Sequence, residues 1–178
     1  MSYRAVQIDA INLDHIVATR NDLPLDIRHA SIERLNVIVV HAIDVALCAK
    51  HAHWNVRGPN FLSFHNLFEK VFKEMMEQID QLGERATALG GIARGTVQAV
   101  AGSTSLAPYP ILIAGESEHV EHLADRLGRL GSEIRAAVIA TDSVGDVISA
   151  DVLTQAGAAI DSLLWIIESH SVRPAPRT

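Results

Sequence analysis

Hydrophobic residues recur at helical spacing in four long stretches of the chain. The first stretch covers roughly residues 26–54, and its apolar positions follow one another at intervals of three and four residues, the period of one helix face. The other stretches lie at about residues 61–89, 116–140 and 147–169. The stripes of the first, third and fourth stretches are Leu35, Ile38, Ala42, Val45 and Ala49; Val120, Leu123, Leu127, Leu130, Ile134 and Ala137; and Ile148, Val152, Ala156, Ala159, Leu163 and Ile166.

The link between the second and third stretches is unusually long, at about 25 residues. Neighbouring antiparallel helices are usually joined by roughly 2 to 8 residues, whereas a link of this length can cross a whole bundle. This favours the ferritin-like order of four helices over simple up-and-down order, with an up-and-down bundle and a loose loop as the alternative. Part of the crossover, near residues 105–109, is predicted to form a short helix.

The composition agrees with a single all-α domain. A chain of 178 residues that is 48% hydrophobic and 4% aromatic can bury a core of packed helices without disulfides. We therefore expect a tail at residues 1–25, a four-helix bundle at residues 26–170 and a second tail at residues 171–178. Cys48 is the single cysteine, which excludes an intrachain disulfide and a CxxC motif.

Charge and hydropathy restrict the location and the partners. The net charge of −6 argues against a general attraction to nucleic acid or anionic lipid. The N-terminus has no basic segment followed by an apolar one, and the most apolar run is interrupted by His41 and Asp44. We expect no signal peptide, no membrane span and a cytoplasmic protein.

The second helix carries a polar stripe next to its core face. At about 100° per residue, Glu69, Asp80 and Glu84 all fall within about 100° of His65. A short NVRGPN turn brings His53 to the same end of the helix pair. A solvated face is the simpler interpretation, because lysines and further glutamates lie on the same side. Two imidazoles and a carboxylate are nevertheless a suitable ligand set for a divalent transition metal such as iron or zinc.

The two ends of this stripe are too far apart to bind one metal ion within one chain. At a rise of about 1.5 Å per residue, the centres of the two pairs are about 22 Å apart. Two antiparallel copies of the helix about a twofold axis would bring the distant pairs together. The predicted ligands are His53, His65 and Glu69 of one subunit with Asp80 and Glu84 of the other. This set suits Fe(II) and its oxidation, and hydrolytic zinc chemistry is less favoured because no HExxH motif is present.

Three segments around these residues, HAHWNVRGPNF, FHNLFE and DQLGERATALGG, resemble the signature of the DNA-binding proteins from starved cells, the Dps family of small ferritins. YP in the crossover and LLWIIES near the end are also similar, so the resemblance covers nearly the whole chain beyond the N-terminal tail. It implies a ferritin-like subunit in a dodecameric cage of 23 symmetry. The implied activity is that of a ferroxidase, which oxidises Fe(II), preferentially with hydrogen peroxide, stores ferric mineral and protects DNA from oxidative damage.

The resemblance also assigns roles to individual residues. The family's ferroxidase ligands fall on the same five side chains that helical spacing pairs across a twofold axis, and they would hold one iron ion or a di-iron centre, with zinc as a substitute. Trp54 matches a tryptophan beside the site that supplies or relays an electron; simple packing is the alternative role. Many members have aspartate where this chain has Glu69, which adds a methylene to the ligand.

The third helix begins with acidic residues that the resemblance links to threefold pores. Glu118, Glu121 and Asp125 are the candidates for such a pore, which would concentrate iron by its negative charge. The alternative is an ordinary acidic first turn, favoured by the helix dipole.

DNA binding is only weakly supported by the sequence. The family often binds DNA through lysine-rich tails, but this chain has no lysine before Lys50, and its last residues offer only Arg173 and Arg177. The alternative function is that of a cage that compacts DNA, with association with the bacterial nucleoid, and handles metal only secondarily. A scaffold cage with a vestigial metal site is the third hypothesis.

Overall fold

The computed structural model describes residues 16–171, so most of the two predicted tails, including Arg173 and Arg177, lies outside the described residues. This part of the chain contains five helices and no named β-strand, which confirms the all-α prediction. The helices are α1 (Leu25–Asn55), α2 (Phe61–Ala88), α3 (Val97–Ser103), α4 (Glu116–Ser143) and α5 (Val147–Glu168).

The four long helices form a bundle of two hairpins. α1 packs along α2, and α4 packs along α5; the hairpins then meet where α1 contacts α4 and α2 contacts α5. The links within the hairpins, residues 56–60 and 144–146, are short, whereas residues 89–115 connect the hairpins and contain α3. The long middle connection is therefore a true crossover.

The predicted stripes of α1 and α4 lie in the core, since every residue named for them is buried. The stripe predicted for α5 is partly wrong, because Ile148 is 59% exposed. The core face of α5 instead carries Leu153, Ile160 and Ile167. α5 also has exposed apolar residues, among them Val147, so its apolar pattern fits more than one rotation about the helix axis.

α5 is the one helix within residues 16–171 that is long and apolar enough to cross a membrane, with a mean hydropathy of 1.3. Length and composition alone are weak evidence for a membrane span, because core helices of globular proteins share them. Here one face of α5 packs against the other helices of the bundle.

The short crossover helix forms at Val97–Ser103, so the prediction at residues 105–109 is wrong in position. The Thr96 side chain caps this helix by accepting a hydrogen bond from the backbone N–H of Ala99 at 3.2 Å. Pro108 and Pro110 disfavour a helix in the predicted segment, because proline lacks a backbone N–H and restricts the residue before it.

A buried asparagine attaches the start of the crossover to α1. Asn36 is 1% exposed; its Nδ2 donates to the carbonyl of Ile92 at 3.0 Å, and its Oδ1 accepts from the backbone N–H of Arg94 at 2.8 Å. The amide thus satisfies two backbone groups of a segment without regular structure. Arg94 adds an ion pair with Glu33 at 2.6 Å.

The described end of the predicted N-terminal tail contacts the end of α2. The backbone N–H of Val17 donates to the carbonyl of Gly90 at 2.8 Å, and Arg28 donates to the carbonyl of Leu89 at 3.2 Å. Gly90 has a φ of +90°, and a Cβ there would lie 2.4 Å from the Val17 carbonyl oxygen. A glycine is therefore required at this contact.

A buried carboxylate joins the end of α2 to the start of α5. Asp146 is 1% exposed and accepts hydrogen bonds from Arg85 at 2.9 Å, from the Ser149 backbone N–H at 3.0 Å and from the Ser149 hydroxyl at 2.6 Å. Burial alone would raise the pKa of Asp146, but the hydrogen bonds from Ser149 and the charge of Arg85 outweigh it and lower this pKa. The carboxylate therefore caps α5 in its ionised form.

Candidate metal centre

The end of α1 and the start of α2 are held together by a turn that is itself attached to α4. The backbone N–H of Arg57 donates to the carbonyl of Ala114 at 2.8 Å, and that of Asn60 donates to a carboxylate oxygen of Glu116 at 2.6 Å. These bonds fix the turn on both sides. The last turn of α1 and the first turns of α2 consequently have a defined relative position.

The two histidines of this region hold each other in place. Nδ1 of His53 lies 2.8 Å from the backbone carbonyl oxygen of His65, and Nδ1 of His65 lies 2.8 Å from that of His53. The rings stack with centroids 3.7 Å apart. A carbonyl oxygen only accepts, so each Nδ1 carries the proton and each neutral ring keeps a lone pair on Nε2. Metal-binding histidines commonly donate their other ring N–H to a backbone carbonyl in this way, which fixes the orientation of the ring.

Glu69 forms a cluster with His53 and Lys50 on the same chain. Its Oε2 lies 3.6 Å from Nε2 of His53 and accepts a hydrogen bond from Nζ of Lys50, while its Oε1 lies 3.6 Å from Nζ of Lys73. The hydrogen bond from Lys50 is the main reason why the pKa of Glu69 is lowered, with the charges of Lys50 and Lys73 adding to the effect. The carboxylate is therefore ionised beside Nε2 of His53.

Asp80 and Glu84 lie apart from this cluster, on the exposed side of α2. Because α2 is one uninterrupted helix, the separation of about 22 Å between the two pairs remains. The two carboxylates line a shallow pocket of about 330 Å³ whose walls include Ile43, Gly83 and Gly95. Within residues 16–171 of one chain, no three histidine, cysteine, aspartate or glutamate side chains converge to hold a metal ion.

Comparisons with known proteins give this geometry a context. The ferritin-like domain family matches residues 32–172. A DNA protection during starvation protein from Agrobacterium fabrum is 38% identical over 152 residues, which are 85% of this chain and 94% of the relative. The chain belongs to the Dps family.

Solved Dps structures have the same fold. DpsC from Streptomyces coelicolor is 26% identical with a TM-score of 0.85, and the match covers 92% of this chain and 95% of that one. Dps from Microbacterium arborescens, solved in a high iron form, is also 26% identical, with a TM-score of 0.77 over 87% of this chain and 97% of that one. The predicted ferritin-like fold is confirmed.

Lys50 is the residue of this Dps cluster that the sequence interpretation missed. Its Nζ contacts Glu69 and lies 5.0 Å from the ring centroid of Phe72 and 5.9 Å from that of Trp54. A signal was present, since Lys50 precedes His53 by three residues and residues so spaced are neighbours on a helix. The contact places a protein cation beside a predicted iron ligand.

Trp54 of the Dps chain is 67% exposed, so it does not pack in the core of its own subunit. Helical spacing puts its side chain within about 20° of Leu47, which is 51% exposed, on the same side of α1. The simple packing role considered for Trp54 therefore has no basis within one chain.

The three residues predicted to line a pore all lie near the start of α4. Glu118 accepts a hydrogen bond from the backbone N–H of Gly115 at 3.2 Å and so helps to cap the helix. All three side chains, those of Glu118, Glu121 and Asp125, are exposed in the single chain. Capping accounts for Glu118 without a pore, while a pore role for the three residues stays a prediction.

Proposed function

We propose that this Dps chain oxidises Fe(II) and stores the ferric product inside a homo-oligomeric cage. The observation that carries the proposal is the mutual hydrogen bonding of His53 and His65, which uses both Nδ1 atoms and leaves both Nε2 atoms for a metal ion, with Glu69 3.6 Å from Nε2 of His53. Membership of the ferritin-like family supports iron storage and DNA protection in general. Imidazole nitrogens with carboxylates suit Fe(II), and carboxylates also stabilise the Fe(III) product.

Each complete site would lie between two subunits. The half-site of His53, His65 and Glu69 would face Asp80 and Glu84 of the partner subunit across a twofold axis. Exposed apolar side chains support a partner on this face. Trp54 and Leu47 project from α1. Met76 of α2 is 45% exposed and lies within about 20° of His65 on the helix circumference, between the two ligand pairs.

The proposed assembly is the dodecamer of 23 symmetry that such twofold dimers build, with Glu118, Glu121 and Asp125 at threefold pores. The Dps structure neighbours support a homo-oligomeric cage in general.

Hydrogen peroxide is the proposed oxidant, and its consumption together with Fe(II) would protect DNA in the cytoplasm. The net charge of −6 favours this chemical protection over a coating of DNA by the cage.

Lys50 bears on the number of iron ions at each site. Its ammonium group occupies one oxygen of Glu69, so that oxygen binds a metal ion only after Lys50 moves away. We expect the first ion to bind at the two Nε2 atoms with the partner's carboxylates. A second ion would have to displace Lys50, which makes single occupancy the ground state.

A mixing experiment tests the shared site. Neither the variant with His53→Ala and His65→Ala nor the variant with Asp80→Asn and Glu84→Gln should oxidise Fe(II) rapidly, although both should form the oligomer. Random reassembly of the two variants in equal amounts should restore about one quarter of the sites, because half of the dimers are mixed and each mixed dimer has one intact site.

Glu74→Gln is a matched control on the other side of α2, and its oxidation rate should stay at the wild-type level. Native mass spectrometry would verify that subunits have exchanged. Full activity of the Asp80 and Glu84 variant would refute the ligand assignment. No recovery in verified mixed dimers would refute the sharing between subunits.

A further inference from the structure

A further histidine, His119 of α4, forms a different pair with Tyr109 of the crossover. The phenolic oxygen of Tyr109 lies 2.8 Å from Nδ1 of His119, and the two rings are nearly parallel with centroids 6.0 Å apart. His119 is fully buried, and Tyr109 is half-buried. Nε2 of His119 makes no hydrogen bond within residues 16–171, and in the tautomer that carries its proton there the phenol O–H donates to Nδ1. Neither residue belongs to the candidate metal centre.

The surroundings keep both partners neutral. Burial lowers the pKa of His119 and, as the first of several causes, raises the pKa of Tyr109 well above its usual range. The guanidinium carbon of Arg126 lies 4.9 Å from the centroid of the Tyr109 ring. This cation disfavours a positive charge on the ring, so the phenol loses an electron only when its proton leaves at the same time. Nδ1 of His119 is positioned to receive that proton.

Packed rings connect this pair with the candidate metal centre. The ring of Phe68 is fully buried, and its centroid lies 5.9 Å from that of His119. Phe68 directly precedes Glu69 in α2. Phe68 and His119 thus form a path of neighbouring rings from the residue next to Glu69 to Tyr109, through which an electron can pass.

We propose that Tyr109 and His119 form a redox pair in which Tyr109 supplies one electron to the reaction of Fe(II) with hydrogen peroxide while its phenolic proton moves to His119. This inference rests on the proposed function, since peroxide needs two electrons and a single Fe(II) supplies one. The balanced step converts Fe(II), hydrogen peroxide, the Tyr109 phenol and neutral His119 into Fe(III), two hydroxide ions, a neutral tyrosyl radical and protonated His119. The second oxidising equivalent is thereby kept on Tyr109 and does not leave the protein as a hydroxyl radical.

Rapid-freeze electron paramagnetic resonance tests the pair in the assembled protein with one Fe(II) per subunit and one equivalent of hydrogen peroxide. We expect a neutral tyrosyl signal that narrows when the tyrosines are ring-deuterated. Tyr109→Phe should reduce the signal at least tenfold. Tyr3→Phe is a matched control, because Tyr3 is the other of the two tyrosines in the chain, and it should leave the signal unchanged.

Replacement of the proton acceptor separates a redox role from a structural one. His119→Gln keeps a hydrogen-bonding side chain but removes the base, so the tyrosyl yield should fall several-fold while the oligomer persists. In the wild type, formation of the radical should be slower in heavy water. A tyrosyl signal of unchanged size in Tyr109→Phe, or no solvent isotope effect together with an unchanged yield in His119→Gln, would overturn the pair.

An arm without iron distinguishes failure of the pair from failure of the ferroxidase. Azide radicals made by pulse radiolysis oxidise tryptophan, and both tryptophans of the chain, Trp54 and Trp165, are more than half exposed in the single subunit. In the metal-free oligomer the tryptophanyl absorption should decay as tyrosyl absorption grows, except in Tyr109→Phe. Rapid iron oxidation with no Tyr109 radical in either arm would overturn the pair and leave the ferroxidase intact. A Tyr109 radical after radiolysis without any iron oxidation would sustain the redox pair but overturn the ferroxidase and the role of Tyr109 in it.

Discussion

The two ends of α2 provide ligands of opposite character. At its start, His65 and His53 are locked by hydrogen bonds to each other's backbone, and Glu69 is held by Lys50. Near its end, Asp80 and Glu84 project from an exposed helix face. The proposed site would thus combine a rigid half that selects the metal with an adaptable half from the partner subunit. A carboxylate that can shift is useful when the ion changes from Fe(II) to Fe(III).

Removal of the rigid half should have the largest effect. With His53→Ala and His65→Ala, the affinity for Co(II), a spectroscopic probe for Fe(II), should fall by more than roughly 100-fold, since loss of a group that only hydrogen-bonds to a metal ligand can already cost that much. Asp80→Asn with Glu84→Gln should weaken Co(II) binding less, because both imidazoles remain. Visible absorption titrations measure both affinities. Equal losses in the two variants would show that the two halves do not differ as we propose.

The contact between Arg85 at the end of α2 and Asp146 should matter for stability and not for metal binding. Asp146→Asn leaves Arg85 without its carboxylate partner and weakens the cap of α5, which should cost about 2 to 3 kcal/mol at pH 7. Asp142→Asn is a control in the last turn of α4, since Asp142 is exposed and its replacement should cost little. Urea denaturation, with oligomeric state monitored, gives both values, and metal affinity should be unchanged in both variants.

The stabilising effect of Asp146 should also depend on pH. The folded pKa of Asp146 is lowered from the ordinary 3.8, so its contribution to stability is present above about pH 4 and is lost as the pH falls through the folded pKa. The difference in stability between wild type and Asp146→Asn should therefore shrink in acid. A difference that is constant from pH 7 down to pH 3 would mean that the charge of Asp146 is not what stabilises this end of α2.

The sequence was sufficient for the features that depend on spacing along one helix. The stripes of α1 and α4 and the two halves of the α2 stripe follow from the helical period. The position of α3 could not be found in this way, because it depends on the Thr96 cap and on two later prolines. The rotation of α5 depends on which apolar side meets the bundle. The histidine lock was not predictable either, because it joins side chains to backbone carbonyls of another helix.

Replacement of Lys50 should have a moderate effect on metal affinity. Lys50→Met keeps a long apolar side chain near Phe72 and removes the ammonium from Glu69, so Co(II) affinity should rise about 5- to 10-fold and the pKa of Glu69 should move back toward 4.5. Lys73→Met is the control, because its Nζ is 3.6 Å from Glu69 and its side chain is 70% exposed. It should raise affinity less than about twofold, since exposed charges are screened. Weaker binding in Lys50→Met would mean that Lys50 positions Glu69 and does not compete with the metal.

The substitution Glu69→Asp should have the smallest effect. Aspartate is one methylene shorter, so its carboxylate cannot keep both the contact with Lys50 and the position beside His53. The two Nε2 atoms are fixed by backbone bonds that do not involve residue 69, and for this reason we expect the affinity for the first Co(II) to change by less than about threefold. The change should appear in stoichiometry, because a carboxylate released from Lys50 can accept a second ion. Calorimetric titration of Glu69→Asp and Lys50→Met should therefore give more than one ion per site in both variants. Loss of the first ion in Glu69→Asp would mean that the carboxylate of Glu69 is itself needed to bind that ion.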